Sequence, residues 1–275
     1  MPFTSTVLPD ADAVGLHVAE QILDRLGRGA AQGRPFLLGC PSGRSGEPTY
    51  RALARLVAER HVDLSRLVIV MMDDYVVETD DGRLVRVDPE LSYSCLGYAQ
   101  REIDRPLAAA AAAAGTAGPR DLWAPDPADP AEYDRRIEAA GGIDLFLLAS
   151  GASDGHIALN QPGTDRSTRT HVAHLGDATR RDNMGTFPEL TRLELVPRLG
   201  VTVGVATIAD QSREVVMIVT GEHKRDTYAR LAAATGYEPD WPATVFAECA
   251  GAVLVADAAA AGTLPVAPEV PVPTH

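Results

Sequence analysis

Cysteine is scarce in this chain of 275 residues. The three present, Cys40, Cys95 and Cys249, are odd in number, far apart and without metal-ligand spacing. That pattern argues against a disulfide framework or a zinc site and for reduced, structural thiols. Cys40 follows a strand-like run, but no His or cation beside it in sequence marks it as a nucleophile. Positive charge is also in short supply. With 25 Lys and Arg against 38 Asp and Glu, the formal charge is -13, so nucleic-acid backbones and anionic membranes are repelled at long range. No apolar run approaches the roughly 18 to 20 residues of a membrane span, and the first ten residues lack a basic stretch followed by an apolar one. The expectation is a cytoplasmic protein with neither nucleic acid nor membrane as partner.

What the chain does have is an ordinary globular composition, 45% hydrophobic and 23% charged, and a length suited to one large α/β domain. Val14, Val18, Ile22 and Leu26 recur at helical spacing, with Asp10 placed to cap the helix. Residues 35–39 read as a strand, and a helix is expected from Glu47. The run Leu67-Val-Ile-Val-Met-Met72 is apolar throughout, as in a strand buried on both faces. Further strands are expected at 143–149, 200–204, 215–219 and 252–256, and helices from Leu91, over 131–140 and over 224–234. The segment 78–90 reads as a charged surface loop, 108–114 as an alanine-rich helix end and 119–130 as a proline-rich connection. Strand, helix and strand in this order imply right-handed crossovers and a parallel sheet with helices on both faces. The predicted organisation is one domain over residues 1–262 and a loose proline-rich tail over 263–275.

In such a sheet, polar side chains just past the carboxyl ends of strands carry the ligand chemistry. The segment Gly151-Ala-Ser-Asp-Gly-His156 follows the 143–149 strand and sets Asp154 and His156 two residues apart. Met72-Asp-Asp-Tyr75 ends another strand, so Asp73 or Asp74 reaches the same rim, where partial burial raises a carboxyl toward the range useful for proton abstraction. The loop holding Ser42, Gly43, Arg44, Ser45 and Gly46 joins a strand to a helix and offers backbone N–H groups to an anion. It is neither a Walker loop nor a dinucleotide fingerprint. Arg44 within it and Lys224, in Gly221-Glu-His-Lys224, are two cations at strand ends, which suits a phosphate dianion.

These motifs together resemble the glucosamine-6-phosphate deaminase family, within a superfamily that also holds the 6-phosphogluconolactonases. The resemblance runs in order from about residue 14 to 256, through Arg34-Pro-Phe-Leu-Leu-Gly-Cys-Pro-Ser-Gly43, Met72-Asp-Asp-Tyr-Val76, Ala124-Pro-Asp126, Asp154-Gly-His-Ile-Ala-Leu-Asn-Gln-Pro162, Leu199-Gly-Val-Thr-Val-Gly-Val-Ala-Thr207 and Gly221-Glu-His-Lys224. The Ile-Ala-Leu-Asn-Gln-Pro continuation is closer to the deaminase branch. The resemblance implies a Rossmann-like open, mostly parallel sheet that binds a hexose 6-phosphate without nucleotide, metal or other cofactor. It implies that Asp73 shuttles a proton at C2, that Asp154 and His156 work at the ring-opening oxygen, and that Lys224 and residues 42–46 hold the phosphate, with Asp74 beside them. A homo-oligomer is compatible with this reading.

Four positions depart from the family pattern. Gln161 stands where the family has a glutamate that polarises the histidine, so the anionic partner of His156 is gone: an amide can orient the imidazole but cannot hold its developing positive charge, a loss expected to cost orders of magnitude in rate or to redirect the substrate. Gly185 falls where the family has a phosphate-binding arginine, leaving Arg44, Arg180 or Arg181 to substitute. His171 and Ala173 replace the arginine and lysine of the family's effector site, so effector control of that kind is not expected. The stretch 77–89 is longer than its family counterpart and is expected to lie over the sugar as a lid. The main expectation is a sugar-phosphate isomerase or deaminase. The alternatives are a 6-phosphogluconolactonase-type hydrolase, in which His156 activates water, and a sugar-phosphate sensor without turnover.

Overall fold

The computed structural model describes residues 3–30, 33–185, 187 and 189–263, without the side chains at 29 and 30. The expected loose tail lies outside the described residues from 264 onward. Among the described residues, no helix is long and apolar enough to cross a membrane.

Seven strands form one sheet, all neighbours parallel: β1 (Thr4–Leu8), β2 (Phe36–Cys40), β3 (Leu67–Met71), β6 (Asp121–Trp123), β7 (Leu145–Ala149), β10 (Val215–Val219) and β11 (Val253–Asp257). Their spatial order is β1-β11-β10-β7-β2-β3-β6. The central strands are apolar at every residue because both sheet faces are covered. Alternate side chains enter opposite cores. Leu67, Ile69 and Met71 pack with Val14, Ile22, Leu53 and Leu107, whereas Val68 and Val70 pack with Ile137, Ile208 and Leu231.

Helices α1 (Ala11–Ala30), α2 (Glu47–Arg60), α3 (Cys95–Tyr98) and α4 (Arg105–Ala113) contribute to the first core, with a π-helical stretch Ala99–Asp104 joining the last two. Helices α5 (Pro130–Ala139), α7 (Val205–Gln211) and α8 (Arg225–Ala233) contribute to the second. The expected Asp10 cap forms, its Oδ1 accepting from Ala13 N at 2.8 Å. From β2 the chain steps to β3 and β6 on one side, then returns through β7 to the other side of β2. The crevice beyond the carboxyl ends of β2 and β7 is therefore the topological switch point of the sheet.

A second, antiparallel sheet departs from the sequence-based expectation. It has the order β5-β4-β9-β8, from β4 (Asp73–Glu78), β5 (Leu84–Arg86), β8 (His171–His174) and β9 (Leu199–Thr202). The 200–204 run, expected in the parallel sheet, belongs here. It pairs with β4 in register Asp73↔Thr202. The segment 78–90 is partly the β4–β5 hairpin, and the 119–130 connection contains edge strand β6. The helix expected from Leu91 begins only at Cys95, after the capping residue Ser94, whose side chain accepts from Gly97 N. Because β3 runs straight through Met72 into β4, Asp73 sits where one sheet hands the chain to the other.

Candidate functional site

The switch-point crevice opens into a cavity of about 260 Å³, just below the usual size of small-molecule pockets. Its walls come from separate strand ends: Ser42, Gly43, Arg44 and Ser45 after β2, Asp73 after β3, residues 149–152 and His156 after β7, and Lys224 after β10. The rim geometry expected from sequence is thus present. Tyr50 Oη donates to Pro41 O at 2.7 Å and Tyr98 Oη to Gly43 O at 3.1 Å, which fix the anion loop from below.

After β7 the chain folds tightly. Gly151 N donates to His156 O at 2.8 Å, and the imidazole lies so close over Gly151 that a Cβ there would stand 2.2 Å from Nδ1. Gly155 has φ +66° and backs onto the Trp241 ring, a conformation that favours glycine. His156 Nδ1 lies 2.6 Å from Asp154 Oδ1, and Thr179 Oγ1 donates to Asp154 Oδ2 at 3.1 Å. Burial pushes the Asp154 carboxyl up, but the hydrogen bond and charge of His156 outweigh it and hold it below the usual range. An ionised Asp154 makes Nδ1 the donor, so Nε2 is left to accept a proton.

Asp73, 6% exposed, is the reverse case. Burial pushes its pKa up to about 7, with the neighbouring Asp74 charge adding, while Cys95 and His156 oppose. A carboxyl at that value suits proton transfer near neutrality. Lys224 is the single lysine of the chain. Its ammonium donates to Ser150 O, and burial lowers its pKa to about 8, Asp182 opposing and Arg44 assisting.

The model of the family described as glucosamine-6-phosphate isomerases/6-phosphogluconolactonase matches residues 9–255. The chain belongs to this family. The glucosamine-6-phosphate deaminase of Streptomyces avermitilis is 38% identical over 225 residues, 81% of this chain and 78% of that one. That of Porphyromonas gingivalis is 33% identical over 265 residues, 94% and 92% of the two chains. Among solved structures, a monomeric glucosamine-6-phosphate deaminase superposes with TM-score 0.78 at 22% identity, covering 94% of this chain and 99% of that one. A 6-phosphogluconolactonase from Leishmania guyanensis superposes at 0.63 and 16%, covering 94% and 97%. These likenesses carry the fold.

Within this family framework, several expected site residues lie elsewhere. Asp74 does not face the cavity. It is fully buried and accepts from Cys95 N at 2.8 Å, Tyr75 N at 2.9 Å and Leu96 N at 3.2 Å. Successive strand residues point to opposite faces, so Asp73 takes the pocket and Asp74 the start of α3. Gly46 is the buried cap of α2, packed on Tyr50 rather than on the cavity. Gln161 does not orient His156: its Nε2 donates to His174 O and its Oε1 accepts from Gly176 N at 2.6 Å. The cause is local. Asn160 Nδ2 is pinned to Ile157 O and Val203 O at 3.0 and 2.8 Å, which turns the next side chain toward β8.

The Gln161 geometry yields a prediction. Gln161→Glu sets a carboxylate against the His174 carbonyl that the amide now serves. It should cost about 1 to 3 kcal/mol of stability and leave kcat within a few-fold of wild type, as read by thermal melting and initial rates.

No residue of 77–89 lines the cavity, so that segment is not its lid. Helix α6 (Asp177–Met184), which the sequence reading did not single out, reaches the cavity instead. Its Asp182 and Asn183, together with Phe187, line the wall. Of the three arginines considered for the Gly185 position, Arg180 is held by Asp177, Leu193 O and Val196 O, and Arg181 pairs with Asp177 at 3.8 Å. Arg44 alone lines the cavity, its Nη2 lying 3.7 Å from where a Cβ at Gly185 would stand.

Proposed function

We propose that the chain isomerises and deaminates glucosamine 6-phosphate or a close hexosamine phosphate, giving the ketose phosphate and ammonia. The observation that carries this reading is the pairing, in one cavity, of a buried carboxyl with pKa about 7 and an Asp154–His156 couple, opposite Arg44 and Lys224.

The phosphate is held by Lys224, Arg44 and the backbone of residues 42–45. His156 Nε2, with Asp154 behind it, moves the proton that opens the ring. Asp73 takes the C2 proton and returns it to C1, which converts the aldose amine into the ketose imine. Water then adds to C2 and ammonia leaves. Proton traffic at carbon through one positioned carboxylate needs no redox partner.

The reading is of a cytoplasmic enzyme whose working unit lies within residues 1–262. The naming of two relatives, aligned over 81% and 94% of this chain, as glucosamine-6-phosphate deaminases supports it. The direct test adds glucosamine 6-phosphate to purified protein and follows ammonia and ketose together. Equimolar release is expected.

A lactonase reading has one observation in its favour, the fold shared with 6-phosphogluconolactonases. It leaves Asp73 without work. Hydrolysis of 6-phosphogluconolactone with no ammonia from any hexosamine phosphate would establish it instead.

A further inference from the structure

One carboxylate on the cavity wall has no part in the reaction just described. Asp182 projects from α6, and its ligating oxygen, one oxygen of Asp154 and one ring nitrogen of His156 all lie within 4.8 Å of one another. Its Oδ2 accepts from Ser153 Oγ at 2.9 Å, a bond that fastens α6 to the loop carrying Asp154 and His156. Thr179, one turn earlier on the same helix face, bonds Asp154 and comes within 3.5 Å of His156 Nδ1. Helix α6 thus presents two polar side chains, Thr179 and Asp182, to the Asp154–His156 couple.

We propose that Asp182 is a positioning residue for His156, the second carboxylate that stabilises the imidazolium formed when the ring opens. The inference rests on the deaminase reading above. Asp154 holds Nδ1 at 2.6 Å, and Asp182, with a carboxylate oxygen within 4.8 Å of a ring nitrogen of His156, adds a second negative charge beside the ring in a half-buried setting, where screening is weaker than in bulk water. The charged and titratable groups facing this arrangement across the cavity are Asp73 from β4, Arg44 from the loop after β2, and His223 and Lys224 ahead of α8. The same three groups, Asp154, His156 and Asp182, are spaced as metal ligands. Arg44 and Lys224 line the same cavity, and their charges oppose a divalent cation there.

The position also makes Asp182 unfavourable for phosphate binding, since it stands near the cations that hold the anion. Its removal should therefore separate affinity from turnover. Asp182→Asn should lower kcat for glucosamine 6-phosphate on the order of 10- to 100-fold, with KM unchanged or reduced. Asp182→Glu should recover part of the loss. Ser153→Ala, which frees the carboxylate, should give a smaller loss in the same direction. A reduced, ring-free hexosamine alditol 6-phosphate should bind the Asn variant at least as tightly as wild type in calorimetry, and its melting temperature should match.

If Asp182→Asn keeps kcat within twofold while KM falls, Asp182 merely screens the cations and the inference is overturned, with the deaminase reading intact. If the wild-type protein itself releases no ammonia, both fall together.

Discussion

Asp73→Asn should lose about a thousandfold in kcat, the middle of the range for removing a positioned general base, while KM changes by less than a few-fold. An amide of the same shape keeps the packing against Cys95 but cannot take a proton from carbon. The pH profile gives an independent check. Asp73 must be ionised to act, so activity should rise with pH through about 7. Lys224 must be protonated to hold the phosphate, so kcat/KM should fall again above about 8. The expected profile is a narrow bell, and the residual activity of Asp73→Asn should lack its acid limb. An Asn variant within tenfold of wild type would remove Asp73 from the mechanism and favour hydrolysis of a lactone.

Lys224→Ala should act on the other side of the ledger of binding and turnover. A charge-assisted hydrogen bond to phosphate contributes about 1.5 to 3 kcal/mol, so KM should rise roughly 10- to 150-fold with kcat reduced far less. Calorimetric titration with inorganic phosphate should show the same loss. Lys224→Arg should restore little, because the ammonium enters a narrow space and donates to Ser150 O, which a planar guanidinium does not fit in the same way. A KM unchanged in Lys224→Ala would assign phosphate binding to Arg44 and the loop backbone alone.

The parallel sheet was legible because β2, β3, β7 and β10 are short apolar runs with no amphipathic alternation, which only a doubly covered sheet produces. The antiparallel sheet was not. Its strands β5 and β8 are three and four residues long, too short for period-two patterning to register, and β9 resembles a central strand in composition although it pairs with β4. Edge strands β1 and β6 are illegible for another reason, their side chains being partly polar and exposed.

In the site, Asp73, Asp154, His156, Arg44 and Lys224 were readable as chemistry at strand ends. The placements of Gln161 and Asp74 are not legible, because sequence adjacency does not reveal where a side chain turns: Asn160 is pinned so that Gln161 faces β8, and strand alternation turns Asp74 from the cavity. Helix α6 gave little warning. Its sequence, Asp-Ala-Thr-Arg-Arg-Asp-Asn-Met, is polar throughout, and only packing against the loop after β7 shows which face matters. Composition carries one further signal: of 25 Lys and Arg residues, 224 alone is lysine.

That singularity has a practical side. With one ε-amine in the whole polypeptide, sunk in the cavity and losing its proton near pH 8, acylating or reductive-amination reagents have two sites of attack, the chain's α-amino end and this side chain. Mass spectrometry of the labelled protein then becomes a census of vacant cavities, and the label a ligand shields from Lys224 reports its occupancy molecule by molecule.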